Sequence, residues 1–369
     1  MINPASHIKN IFVEREIVDL PYTQKILGRV ESLRLPVAIV DTLTIPGLNP
    51  NQYPENLTKG KQNLLLCRNR GHFFKPCPGT KEYRCCGYQV LNIGMNCPMD
   101  CVYCILQAYL NNPWLSSFVN VEDLLAEIAR TFAAEPERRW RIGTGEFTDS
   151  LALDELTGLS RELVPFIGRH PNAVLELKTK SAAIANLEGL SHQGRVIVAW
   201  SLNSPSIMRG EEWRTATLDE RLQAAAQCAQ WGYRLAFHFD PIIDHPGWRE
   251  GYTETIDCLF RSVPADKIAW ISLGALRFLP PLKQISARRF PKSRFMFEEF
   301  VPGLDGKQRY FRARRVELYR HLFKELKGRV YSKTCIYLCM ESDEIWEEVF
   351  GFVPDDFGGL AAMLEGSVL

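Results

Sequence analysis

From residue 87 onward the chain alternates short apolar, β-branched runs with helical patterns, and this alternation limits its fold more than any other feature. The runs fall near 87–94, 139–144, 173–179, 195–202, 233–239 and 268–275, and runs of this kind read as strands. Helical patterns separate them near 121–134, 151–167, 182–190, 218–231 and 248–261. Repeated strand–helix units imply a parallel sheet with right-handed crossovers. Six strands predict an α/β fold built on a partial (β/α)6, TIM-like barrel over 87–276, with functional groups at the carboxyl ends of the strands. Two helix starts carry capping chemistry. Asn120 precedes the acidic Glu122 and Asp123, and Thr217-Leu218-Asp219-Glu220 has the spacing of a capping box.

The flanks read differently. Residues 1–86 mix short apolar runs with turns, which predicts a small N-terminal α/β cap ending in a loop with Cys77, Cys85 and Cys86. Residues 277–369 form a C-terminal extension, basic and aromatic, with a helix near 310–327, an apolar run around Ile336-Tyr337-Leu338 and a helix at 342–350.

The most specific chemistry lies in Cys97-Pro98-Met99-Asp100-Cys101-Val102-Tyr103-Cys104, three thiols spaced C-x3-C-x2-C. Thiolates are the usual ligands of iron–sulfur clusters, and one short loop can reach several corners of a cube. Three ligands leave one iron open to a small molecule, as an open position does in catalytic zinc sites. A zinc site normally shows a second Cys or His pair downstream, and none follows closely. The chain has eleven cysteines and no signal-peptide pattern at residues 1–20. That combination implies a reducing cytoplasm, with thiols serving metals or chemistry rather than disulfides. No apolar run is long enough to span a bilayer, so no membrane role is expected. The net charge is +1, so any nucleic-acid contact must rest on a local basic patch.

With an aromatic before its last cysteine, the loop resembles the radical S-adenosylmethionine (SAM) superfamily. That resemblance implies a [4Fe–4S] cluster on Cys97, Cys101 and Cys104, SAM chelated at the open iron, and a reducing partner of flavodoxin or ferredoxin type. It also implies reductive cleavage of SAM to a 5′-deoxyadenosyl radical that abstracts a substrate hydrogen. Gly143-Thr144-Gly145-Glu146, at the end of the second strand, resembles the stretch that meets the SAM amino group. Lys180, Ser201 and Asn203 lie at the ends of the third and fourth strands, where a carboxylate and a ribose need a cation and polar groups.

Longer stretches narrow the resemblance to the spore photoproduct lyase family. They include Cys101-Val102-Tyr103-Cys104-Ile105-Leu106-Gln107, Phe118-Val119-Asn120-Val121-Glu122-Asp123 and Leu218-Asp219-Glu220-Arg221-Leu222. Pro241-Ile242-Ile243-Asp244-His245-Pro246-Gly247-Trp248-Arg249-Glu250-Gly251-Tyr252 is the longest of them. By that match Lys180 and Ser201 fall on SAM-binding positions, and the implied substrate is a methylene-bridged thymine dimer in DNA. The chain departs from the family twice. The family keeps a hydrogen-donating cysteine just after the second strand, where this chain reads Gly143-Thr144-Gly145-Glu146-Phe147-Thr148. It keeps a tyrosine directly after the third cluster cysteine, where this chain has Ile105, although Tyr103, the candidate relay residue, is present.

The expected function is therefore a lyase-like radical-SAM enzyme acting on a nucleic acid or nucleotide-like substrate, with a different hydrogen-return route. The alternatives are a true photoproduct lyase and a non-catalytic cluster protein that binds nucleic acid. Twelve Lys or Arg and eight aromatics in 276–321 supply the basic and stacking groups that nucleic acid needs. Cys77, Cys85 and Cys86 with Cys335 and Cys339 form a further group, a candidate second metal site or hydrogen donor. Adjacent cysteines rarely ligate one metal together, so one of Cys85 and Cys86 is spare in such a site.

Overall fold

The computed structural model describes residues 4–77 and 82–368. The chain packs into two units. The first gathers Met1–Lys75, Gln89–Val196 and Arg214–Ala216; the second gathers Pro76–Tyr88, Ile197–Trp213 and Thr217–Leu369. These units cut across the expected boundaries at 86/87 and 276/277. The reason is strand pairing: Asn63–Cys67, expected in a cap, lies parallel to Leu115–Phe118 with Leu64 opposite Leu115.

In the first unit that pair belongs to a five-stranded sheet ordered Val37–Val40, Asn10–Glu14, Asn63–Cys67, Leu115–Phe118, Gly94–Met95. Its first four strands are parallel and the last is antiparallel. Leu64, Leu65 and Leu66 have no exposure, so the central strand faces apolar neighbours on both sides, as parallel strands do. A second parallel set holds Gln89–Leu91, Trp140–Gly143 and Ala173–Thr179, with Val90, Gly143 and Glu176 in one register row. Three of the predicted strands are thus present here, and the third runs on past that row to Thr179.

The helix predicted at 121–134 spans Val121–Ala134 and buries Val121, Leu124, Ile128 and Phe132 at helical spacing. Asn120 does not cap it. Its amide instead accepts from the Asn69 N–H and donates to the Asn69 carbonyl and to Asp123, pinning a neighbouring loop. The helix predicted at 151–167 is broken into Asp154–Thr157 and Leu159–Gly168 by Gly158 at φ +64°. Arg29 reaches in to donate to the Leu156 and Thr157 carbonyls, and a Cβ on Gly158 would lie 2.6 Å from that guanidinium. The 182–190 pattern shortens to one 3-10 turn, Ala185–Leu187. There Thr179 and Ser181 hydroxyls accept from backbone N–H groups two residues on, the local competition that draws such residues away from helices.

In the second unit, Val196–Ser201, Arg234–Ile242, Ile268–Ala275 and Cys335–Leu338 lie parallel in that order. The run around Ile336 is thus a further strand of the parallel set. One register row joins Ser201, His238, Ser272 and Tyr337, all buried. Helices Leu218–Gln230, Trp248–Ser262, Arg312–Leu326 and Asp343–Phe350 follow the predicted positions. Thr217 and Glu220 form the expected reciprocal capping box. Among the described residues no helix is long and apolar enough to cross a membrane.

Candidate functional site

The three-thiol loop is held by buried polar side chains that sequence reading did not single out. Asn96, at φ +71°, accepts from the Cys97 N–H at 2.9 Å and donates to the Trp114 carbonyl at 3.2 Å. Lys61, 1% exposed, donates to the Met99 carbonyl at 2.5 Å and to Asp100 Oδ1 at 3.1 Å. Gln107 Nε2 donates to the Cys101 and Val102 carbonyls at 3.0 and 3.1 Å. Side chains from before and after the loop therefore fix its backbone. Gln107 closes the family-like stretch that begins at Cys101; Asn96 and Lys61 carry no local sequence signal.

Cys97 keeps partial residue exposure, yet its surroundings are dense, and burial pushes its thiol up to about 12. The Asp149 carboxylate adds to the rise, while the Lys61 ammonium opposes it. A metal ligand must be deprotonated, so a metal taken up by this thiol would release its proton.

The donor set fits an iron–sulfur cluster. Among the described residues no three His, Cys, Asp or Glu side chains gather as they would around one ion. A cubane asks for something else, because each thiolate takes a separate iron corner. Three thiols on one anchored loop satisfy that demand and leave one corner for a small molecule.

Gly143–Glu146 packs against Ser150 and Lys178 of the same unit. The Thr144 hydroxyl donates to Ser150 Oγ at 2.8 Å, and Ser150 Oγ accepts from the Lys178 N–H. At Gly145 a Cβ would lie 2.9 Å from the Lys178 Cβ, so only glycine allows the turn to close on the next strand. Thr144 is therefore a turn builder. Glu146 is half-buried at the end of that turn.

Asp149, also missed from sequence, organises the neighbouring strand end. Its Oδ1 accepts from Leu151 N, Ala152 N and Thr179 Oγ1, and its Oδ2 accepts from Lys180 N at 2.9 Å. The Lys180 ammonium lies 5.7 Å from the Tyr103 ring centroid, within cation–π range. Two residues chosen separately from sequence, one beside the cluster thiols and one at a strand end, are thus brought together.

Ser201 and Asn203 belong to the second unit. The buried Arg221 donates to the Ser201 carbonyl at 2.8 Å while pairing with Glu212 at 2.5 Å. Asn203 donates to the Pro241 carbonyl and accepts from the Tyr252 hydroxyl, so its amide is committed to holding the strand end. In the same unit, the Cys85 thiol hydrogen-bonds with Cys86, and that neighbour, burial and Cys77 together raise it. Cys335 is buried in its strand opposite Trp270, and Cys339 Sγ lies 3.4 Å from an Arg277 nitrogen. That same guanidinium donates to both oxygens of Asp240.

The family model described as spore photoproduct lyase matches residues 7–333. The chain belongs to the spore photoproduct lyase family. It is a radical-SAM enzyme by that membership, and the cofactors of the class are a [4Fe–4S] cluster and SAM. The spore photoproduct lyase of Bacillus subtilis strain 168 is 24% identical over 296 residues, covering 78% of this chain and 84% of that protein. That of Geobacillus sp. strain Y412MC61 is 23% identical over 330 residues, covering 88% and 93%. A solved spore photoproduct lyase double mutant with bound SAM and dinucleoside spore photoproduct superposes with a TM-score of 0.81 at 22% identity, covering 91% of this chain and 99% of that one. The fold is thus the mixed α/β fold of the spore photoproduct lyases.

Proposed function

We propose that this chain is a radical-SAM enzyme acting on DNA or a nucleotide-like substrate, with a hydrogen-return route unlike that implied for its family. Cys97, Cys101 and Cys104 hold the cluster; Lys180, Ser201 and the Gly143–Glu146 turn hold SAM, with Glu146 accepting from its ammonium. When bound, the cluster supplies the electron that splits SAM to the radical that abstracts a substrate hydrogen. This chain's residues do the rest. Asp149 fixes the backbone of Lys180, and Arg221 fixes the carbonyl side of Ser201. We read the parallel strands as six β/α units with an N-terminal cap, and the protein as cytoplasmic and served by a flavodoxin- or ferredoxin-type donor.

The observation that carries the altered route is the Gly143–Thr148 turn. It contains no thiol, and its one buried hydroxyl, on Thr144, is engaged with Ser150. A true photoproduct lyase is the second reading, favoured by the match over residues 7–333. It requires the hydrogen to come from elsewhere in the chain. Incubating reduced enzyme with SAM, with and without the methylene-bridged thymine dimer, separates the two. Uncoupled 5′-deoxyadenosine formation without repair supports the altered substrate or route, and stoichiometric repair to two thymines supports the true lyase.

The basic segment supports a nucleic-acid substrate through a subset of its cations. Lys283, Arg288, Lys292 and Arg294 are exposed, and Lys283 and Arg294 flank the exposed Phe297 ring at 5.9 and 5.6 Å. No acidic residue occurs between 277 and 297. A ring between two cations suits a stacked base beside its phosphates.

A further inference from the structure

A charged side chain that anchors the three-thiol loop comes from far upstream. Lys61 follows directly on the short helix Leu57–Gly60. A Cβ on Gly60 would lie 2.4 Å from the Pro113 carbonyl oxygen, so glycine lets the helix end press against Pro113 and fixes where Lys61 begins. The Lys61 N–H then closes on the Leu57 carbonyl at 3.0 Å. Its side chain and that of Asp100 are 2% and 4% exposed. Both acceptors of the ammonium, the Met99 carbonyl and the Asp100 carboxylate, lie in the arc between Cys97 and Cys101.

Anchoring alone does not require a charge. The loop's other anchors, Asn96 and Gln107, are neutral amides that hold backbone groups equally well. A buried ion pair is a poor source of stability, since desolvating two charges offsets most of their attraction. What a fixed cation does supply is a field. Three thiolates make the loaded loop anionic, and one-electron reduction adds a further negative charge. In a low-dielectric surround a nearby ammonium favours that added charge and a nearby carboxylate opposes it.

We propose that Lys61 is a positioning residue of the cluster loop whose fixed charge, opposed by Asp100, sets the reduction potential of the cluster. The proposal rests on the reading of Cys97, Cys101 and Cys104 as cluster ligands. Its signature is a pair of opposite shifts. Removing the ammonium takes a positive charge from beside the loop and makes reduction harder. Neutralising the carboxylate leaves the ammonium unopposed and makes reduction easier.

The test is a redox titration of the reconstituted full chain, followed by electron paramagnetic resonance of the reduced cluster, with iron content measured in parallel. Wild type, Lys61→Met and Asp100→Asn are compared. The expected result is a midpoint lowered in Lys61→Met by about tenfold in the reduction equilibrium, roughly 59 mV for one electron, and a raised midpoint in Asp100→Asn. Shifts of the same sign, or unchanged midpoints in both loaded variants, overturn the proposal, because a merely structural anchor would change iron content without opposed potentials. If Lys61→Met takes up no cluster, Asp100→Asn decides alone: a raised midpoint supports the assignment, and an unchanged or lowered one overturns it. A wild-type chain that takes up no iron overturns the ligand reading itself, and the proposal falls with it.

Discussion

The cysteine loop and the basic segment are both polar stretches packed among apolar elements, but their polar groups end up differently. In the loop, neighbouring side chains fix the backbone that carries the three thiols. In the basic segment, many of the cations are taken by acidic partners, several of them far away in sequence. Arg277 pairs with Asp240, Arg309 with Asp305, Arg314 with Asp244 and Glu317, and Arg315 with Glu341. Arg312 pairs with Glu348. A ligand motif can be read from spacing because its donors are close in sequence. A charge run cannot, because many of the groups that neutralise it are not.

The sharpest way to break the contrast is to remove the loop's donors. Replacing Cys97, Cys101 and Cys104 together by Ala is expected to abolish iron binding and 5′-deoxyadenosine formation. Metal analysis of the same variant probes the other thiols. Zinc or iron retained near stoichiometry would support a second site on Cys77, Cys85 or Cys86 with one or both of Cys335 and Cys339, and a metal-free protein would reject it.

The buried part of the basic segment should behave as structure. Arg315 donates to Glu341 at 3.0 Å and to the Tyr310 carbonyl at 2.6 Å. Arg315→Met removes the cation from the Glu341 carboxylate, which is 1% exposed and keeps the Tyr319 hydroxyl as a donor. Loss of one partner of a buried pair costs ~3–5 kcal/mol, measurable by denaturant unfolding. A variant as stable as wild type would show that Arg315 is not structural.

Lys180→Ala tests the SAM side of the first unit. A lost charge-assisted contact costs ~1.5–3 kcal/mol, or roughly ten- to hundredfold in SAM affinity. Calorimetric affinity equal to wild type would remove Lys180 from the site.

The smallest effect is expected at the exposed cations. Arg294→Ala should leave the melting temperature unchanged while reducing the salt dependence of DNA binding by about 0.7–0.9 in log–log slope, the value for one lost phosphate contact. An unchanged slope would move the DNA surface away from Phe297.

The legible parts of the molecule were those governed by local pattern. Each apolar run predicted as a strand contains one, although 87–94 shortens to Gln89–Leu91 with Gly94 in another sheet, and the Thr217 capping box formed because both of its halves lie within four residues. The illegible parts were long-range. Asn120 had the right type and place for a cap, but Asn69 offered its amide two backbone partners. Asp149 carries no sequence signal of its own, and its role appears only when Thr179 and Lys180 fold back onto it. Lys61 lies 38 residues before Met99, so no spacing rule could link them. The 1–86 cap boundary failed to match the packing units for the same reason, since its strand Asn63–Cys67 pairs with Leu115–Phe118.

The central claim is that an anchored three-thiol loop holds a cluster with one iron open to SAM. Anaerobic reconstitution followed by reduction in the presence of SAM, with 5′-deoxyadenosine quantified, tests it most directly. The account predicts 5′-deoxyadenosine that depends on reductant and on all three cysteines. A fully loaded, fully reduced protein that leaves SAM intact would contradict it.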